Sequence, residues 1–177
     1  MRVVFMGTAE FACPSLAALD ESPGIEVVGI VTQPDRPKGR ELIPHPPAVK
    51  LEAELRNLPV HQPERLRSDI EYLEQISPGL IVVAAYGQIL PQTILDLPPH
   101  GCLNVHGSLL PAYRGAAPIQ RAILDCQAQT GVTIMEMDAG LDTGAILSKA
   151  ATPIETSDNS QSLHDRLAKL GAGLRLK

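Results

Sequence analysis

Three groups in the second half of the chain have the residue types and spacing of an acid–base site. Asn104 and His106 stand two apart in Asn104-Val105-His106-Gly107-Ser108-Leu109-Leu110-Pro111, and Asp142 lies in Gly140-Leu141-Asp142-Thr143-Gly144. Residues two apart in a strand leave the same face, so Asn104 and His106 would converge on one ligand. An amide can donate to a developing oxyanion, and an imidazole can either donate or accept a proton, which are the properties acyl transfer needs. Singly, His106 reads as a satisfied structural histidine and Asn104 as a turn residue; their pairing beside a Gly/Pro loop favours chemistry. Asp142, between glycines, reads equally as an Asx-turn residue or as a carboxylate that fixes the orientation of His106.

A scaffold for such groups is legible upstream. The apolar run Arg2 to Met6, the turn at Gly7-Thr8 and helical spacing at Phe11, Leu16 and Leu19 read as strand, turn and helix. A second strand spans Ile25 to Val31, and helical spacing returns at Val49 to Leu58 and Asp69 to Ile76. Leu80 to Ala85 is continuously apolar, as a central parallel strand covered on both faces should be. Cys102 to Val105 forms a further short strand, and Ala117 to Asp125 a helix. The alternation predicts an α/β, Rossmann-like fold: a mostly parallel open sheet with helices on both faces. After Thr130 the pattern changes to two strands flanking the turn-rich Asp138 to Gly144. The last segment, with Leu163, Leu167, Leu170 and Leu174, predicts an amphipathic helix with Ser162 and Asp165 as a capping box. The Pro/Gly/Arg-rich stretch Thr32 to Pro47 predicts a loop without regular structure over much of its length. In open parallel sheets ligands bind beyond the carboxyl ends of the strands, where the loops after Ala85, Val105 and Met137 would meet.

Composition narrows the function classes. The 177 residues are 44% hydrophobic and 20% charged, which suits one folded domain and excludes a disordered chain. A net charge of −5 argues against a domain that wraps nucleic acid, and leaves room for a local basic patch. The apolar runs are too short for a membrane helix, and the start meets Gly7 too soon for a secretory segment, so a cytoplasmic monomer is expected. Cys13, Cys102 and Cys126 lack metal or redox spacing and read as buried small hydrophobes; His45, His61, His100 and His164 read as ordinary surface or turn histidines, and no metal is expected. The turn Gly7-Thr8-Ala9-Glu10 lacks a dinucleotide fingerprint, and no P-loop is present.

The segments VVFMGTAEFACPSLAAL from Val3, VTQPDRPKGR from Val31, VVAAYGQILP from Val82, NVHGSLLPAYRGAAPIQRAI from Asn104 and TGVTIMEMDAGLDTGAIL from Thr130 together resemble the amino-terminal catalytic domain of the methionyl-tRNA formyltransferases. N-x-H with SLLP and a downstream aspartate is similar to folate-dependent formyltransferases at large; YRGAAPIQ and TQPDRPKGR narrow the resemblance to the tRNA group. It covers residues 1–177, and implies a second, barrel-like RNA-binding domain beyond them. It also implies 10-formyltetrahydrofolate as donor, initiator methionyl-tRNA as acceptor, and catalytic roles for Asn104, His106 and Asp142. Asn104 and His106 would hold the oxyanion while Asp142 orients His106 and helps to move the proton. Folate contacts are implied at Ser108, Leu109, Leu110 and Pro111. The pteridine would be enclosed by Val83, Tyr86, Gly87, Ile89 and Leu90 on one side and by Asp138 and Gly140 on the other. Arg36, Lys38, Arg40 and Arg114 would reach the RNA. Two relatives in chemistry remain as alternatives: a formyltransferase acting on a sugar amine or purine precursor, and a folate-binding module with little turnover.

Overall fold

The computed structural model describes residues 1–38 and 43–174. The strands are β1 (Arg2–Gly7), β2 (Glu26–Val31), β3 (Arg36–Lys38), β4 (Ile43–His45), β5 (Val60–His61), β6 (Leu80–Ala84), β7 (Cys102–His106), β8 (Gln129–Glu136) and β9 (Ile146–Pro153). The helices are α1 (Cys13–Asp20), α2 (Ala48–Leu55), α3 (Ile70–Ile76), α4 (Gln92–Leu95), α5 (Pro118–Leu124) and α6 (Ser160–Gly173).

Alternation along β1 shows why the sheet is covered twice. Val3 and Phe5 point to one face and Val4 and Met6 to the other, and all four are fully buried. The first face packs on Leu16 and Leu19 of α1, Val49 and Ala53 of α2, Ile119 of α5 and Leu163 and Leu167 of α6. The second packs on Leu73 of α3 and on Ile94 and Leu95 of α4. The main sheet runs in the order β5-β2-β1-β6-β7-β8-β9. Its first five strands are parallel, and β8 and β9 are antiparallel to their neighbours. The chain builds outward from β1 through β2 to β5, then returns to place β6 on the other side of β1. That reversal is the topological switch at which an open α/β sheet leaves a crevice.

Three sequence expectations need correction. Within Thr32 to Pro47, residues 36–38 and 43–45 pair as a short antiparallel ribbon, with Pro37 opposite Pro44. The ribbon joins no strand of the main sheet, so the missing proline N–H groups cost it no ladder. The cap of α6 lies three residues earlier than the spacing suggested: Asn159 Oδ1 accepts from the backbone N–H of Gln161 and Ser162, and Ser162 Oγ accepts from the N–H of Asn159. Of the cysteines only Cys102 is buried; Cys126 is exposed in the turn after α5.

Candidate active site

Strand register lays out the floor of the site. Val83 on β6 pairs with Asn104 on β7, and Asn104 pairs with Met135 on β8, so the three share one face of the sheet. Above it lies a cavity of about 610 Å³. Its walls come from the loop after β6 (Tyr86 to Leu90), the loop after β8 (Met137 to Asp142), and Ala116 to Ile119 at the start of α5. Ile89 and Leu141 line it and are 86% and 65% exposed, which leaves two apolar edges for a flat apolar ligand to cover.

Asn104, His106 and Asp142 meet at this cavity. Asn104 Nδ2 donates to Asp142 Oδ1 at 3.1 Å, and the backbone N–H of Gly115 donates to Asp142 Oδ2 at 2.8 Å. His106 Nδ1 lies 3.5 Å from the same Oδ2, with the side chains of His106 and Asp142 only 8% and 11% exposed. On its other side, His106 Nε2 is 2.9 Å from the carbonyl of Tyr113. A carbonyl can only accept, so Nε2 carries a hydrogen and Nδ1 is the nitrogen turned to the carboxylate. Both ring nitrogens therefore face protein acceptors. Asn104 differs, because Nδ2 has two hydrogens and only one is committed to Asp142. The expectation that Asn104 and His106 share the oxyanion is sharpened accordingly: the uncommitted donor is that of Asn104.

Asp142 occupies the left-handed region, with φ +53°, a conformation that aspartate tolerates better than most residues. The hairpin between β8 and β9 brings it there. Met137 N–H donates to Cys102 O at 2.8 Å and Glu136 N–H to Ala145 O at 2.8 Å, tying both ends of the loop to the sheet. Asp138 turns inward on its own loop, its Oδ1 accepting from Gly140 N–H at 2.9 Å and Thr143 Oγ1 at 2.7 Å. At Gly144 a Cβ would lie 2.0 Å from the carbonyl of Glu136, so only glycine fits this crossing.

Val83, Tyr86, Gly87, Ile89, Leu90, Asp138 and Gly140, which the resemblance implies as folate contacts, line the cavity. Tyr86 contributes without its phenol: the ring is buried in the core, and burial, with the Asp69 charge adding, pushes the hydroxyl up to about 12. Ser108, Leu109, Leu110 and Pro111 do not line it. Their polar groups are spent inside the protein. Ser108 Oγ donates to Ala112 O at 2.6 Å, Leu110 N–H donates to Thr133 Oγ1 at 3.1 Å, Thr133 Oγ1 donates to Ser108 O at 2.7 Å, and Lys149 Nζ donates to Leu110 O. This stretch holds the loop whose Tyr113 and Gly115 anchor His106 and Asp142.

Arg36 is exposed, 3.7 Å from Glu64, and lines a second hollow beside the first. Arg114 is exposed next to Gly115, Lys38 lies in β3, and Arg40 lies outside the described residues. Sequence reasoning missed His164, which packs edge-on against Phe11 at 5.7 Å between ring centroids and lines both hollows. Its signal was its place on the apolar side of α6, one residue after Leu163. Among the described residues no group of His, Cys, Asp or Glu gathers to hold a metal, and no helix is long and apolar enough to cross a membrane.

The methionyl-tRNA formyltransferase of Citrifermentans bemidjiense is 56% identical over 98% of this chain and 55% of its own length. That of Halorhodospira halophila is 56% identical over 98% of this chain and 56% of its own length. The chain thus spans about half the length of the curated relatives it matches. Among solved structures, the phosphoribosylglycinamide formyltransferase of Bacillus halodurans is similar with a TM-score of 0.81 at 24% identity, covering 98% of this chain and 91% of that one, a likeness of fold. A family model described as formyl transferase matches residues 1–175, and the chain belongs to that family.

Proposed function

We propose that this chain transfers a formyl group from 10-formyltetrahydrofolate to the α-amine of initiator methionyl-tRNA, in the cytoplasm at the start of translation, as the catalytic domain of a longer polypeptide. The observation that carries the reading is the convergence of Asn104, His106 and Asp142 on the wall of a largely apolar cavity, in a chain 56% identical to methionyl-tRNA formyltransferases. The cavity suits a folate in this reading: Val83, Ile89, Leu90, Met135 and Leu141 offer apolar surface to a flat ring. Ser108 to Pro111 would serve the donor through the loop they hold.

The folate supplies the formyl carbon, whose bond to the folate nitrogen breaks as a bond to the α-amine forms. In this reading the second N–H of Asn104 would donate to the oxygen on which negative charge develops, a role supported by the single hydrogen that Nδ2 commits to Asp142. A free α-amine has a pKa near ~7.7–8, so an appreciable neutral fraction exists without help. The proton lost by the attacking amine must reach the departing nitrogen. In this reading Asp142, with His106 Nδ1 3.5 Å from its Oδ2, would take it up and hand it on. Arg36, Lys38, Arg40 and Arg114 would face the RNA.

The purine alternative would want a phosphate cradle after β1. Here the N–H groups of Thr8 and Ala9 are turned to the carbonyl of Ala85, at 3.2 and 3.4 Å, and Glu10 follows. The test is to incubate the protein, in its full-length context, with labelled donor and either charged initiator tRNA or an aminosugar nucleotide. Label appearing on the aminosugar alone would overturn the acceptor.

A further inference from the structure

A chain of hydrogen bonds that the reaction centre does not use runs from the cavity wall to the β3–β4 ribbon. The carbonyl of Tyr86, in the wall, accepts from Thr8 Oγ1 at 2.7 Å and from Gln33 Nε2 at 2.9 Å. The carbonyl of Gln33 accepts from Gln62 Nε2 at 2.9 Å, and the same Nε2 donates to Asp35 Oδ1 at 2.7 Å. Asp35 immediately precedes β3. Its carboxylate also receives Lys50 Nζ from α2, at 2.9 Å to each oxygen. At the wall end, Gly87 has φ +85°, and a Cβ there would lie 2.5 Å from Gln33 Nε2. The wall is thus bare of side chain where the Gln33 amide rests on it.

We propose that Gln33 is a positioning residue that ties the ribbon of residues 36–38 and 43–45 to the Tyr86–Gly87 wall of the cavity, so that RNA held at the ribbon and donor held in the cavity are felt by each other. The inference rests on the functional reading above. Three peptide bonds separate Gln33 from Arg36, and Gln62 clamps both the Gln33 carbonyl and the Asp35 carboxylate. A shift of the ribbon root therefore moves the amide that holds Tyr86. Coupling between sites can be carried by such hydrogen-bond networks, and measuring it is the test of one. Because Thr8 shares the Tyr86 carbonyl, loss of Gln33 loosens the wall without freeing it.

The test uses Gln33→Met, which keeps length and removes the donor, and Gln62→Met, which leaves the bond from Gln33 to Tyr86 in place and removes the clamp between the Gln33 carbonyl and the Asp35 carboxylate. Hydrogen exchange is followed at residues 86–90 and in β1 and β6, and folinic acid affinity is measured by calorimetry. Both variants should speed exchange at residues 86–90 with β1 and β6 unchanged, a pattern that general destabilisation would not give. Gln33→Met should weaken folinic acid binding roughly three- to tenfold, the range of one lost hydrogen bond. Unchanged exchange at residues 86–90 in Gln62→Met would overturn the coupling, even if Gln33→Met failed to fold. If wild-type protein bound no folinic acid, the folate reading would fall, while the exchange data would still decide whether the ribbon and the wall are tied.

Discussion

Replacing Asp142 by asparagine separates charge from shape. Asparagine tolerates the left-handed conformation at φ +53° as aspartate does, so the backbone is not asked to change. The carboxylate accepts on both oxygens, from Asn104 Nδ2 at 3.1 Å and from Gly115 N–H at 2.8 Å. An amide has only one oxygen. Whichever way it turns, its NH2 group faces another donor, so one hydrogen bond to a charged group is lost and the other becomes neutral. Such bonds contribute about 1.5–3 kcal/mol each, and a loss of about 2 kcal/mol follows at a side chain that is 11% exposed. For a domain of this size that is a fall of roughly 4–8 °C in Tm. The amide can no longer accept the amine proton, and it no longer holds Asn104 for the oxyanion. Single-turnover formyl transfer in the full-length polypeptide should fall by at least about 100-fold, the lower end of general acid–base catalysis. Folinic acid binding should change little, since the apolar walls are untouched. If Tm fell as expected while transfer stayed within about tenfold of wild type, Asp142 would be structural and the proton would travel elsewhere. An unchanged Tm would mean that the bonds to Asn104 and Gly115 do not form in solution.

Other substitutions probe separate links. Asn104→Ala removes the uncommitted donor and should cost about 2.7–4 kcal/mol of transition-state stabilisation, read as a fall in kcat with little change in donor affinity. Gly144→Ala places a Cβ 2.0 Å from the Glu136 carbonyl; urea unfolding should show a loss of about 1–3 kcal/mol or more, and wild-type stability would mean the crossing relaxes freely. Asp158 is held by Arg166 at 2.6 and 2.9 Å, then by Glu155 N–H and Ser162 Oγ at 2.8 Å each, and its carboxyl is lowered to about 2. Because that value lies below the unfolded one near ~3.9, its stabilisation is whole above about pH 4 and is lost as pH falls toward about 2. The stability gap between wild type and Asp158→Asn should therefore be widest at neutral pH and close across that window, and a gap independent of pH would refute the assignment.

What could be seen in the sequence divides along physical lines. The faces of β1 and β7 follow from a period of two, so the two-sided burial and the pairing of Asn104 with His106 needed nothing beyond local geometry. The meeting with Asp142 is non-local: it depends on β8 running antiparallel to β7 and on the Met137–Cys102 hydrogen bond that turns the loop over the strand. Residue type alone left Asp142 between an Asx turn and an active carboxylate. Ser108 to Pro111 shows the converse. Its apolar and hydroxyl content suits a ligand wall, yet Thr133 and Lys149, more than twenty residues away, claim its polar groups. The cap of α6 was misplaced because Ser162 can serve at the cap or at the third helical position, and only the Asn159 side chain decides which.

The ribbon raises a different question, that of what keeps it ordered. A two-stranded hairpin on its own is at best marginally stable in water, and this one pairs with no strand of the main sheet. It presents Ile43 52% exposed, so little of its order comes from burial. Among the described residues the ribbon is anchored at its root, where Asp35 is gripped by Lys50 and Gln62, with Arg36 3.7 Å from Glu64 beside it. An ion pair at the surface contributes little alone, but here both partners are about a fifth to a third exposed, and Asp35 also accepts from Gln62. The same grip lies on the path to Tyr86. Anchorage at Asp35 thus keeps the base of the ribbon registered to the cavity wall.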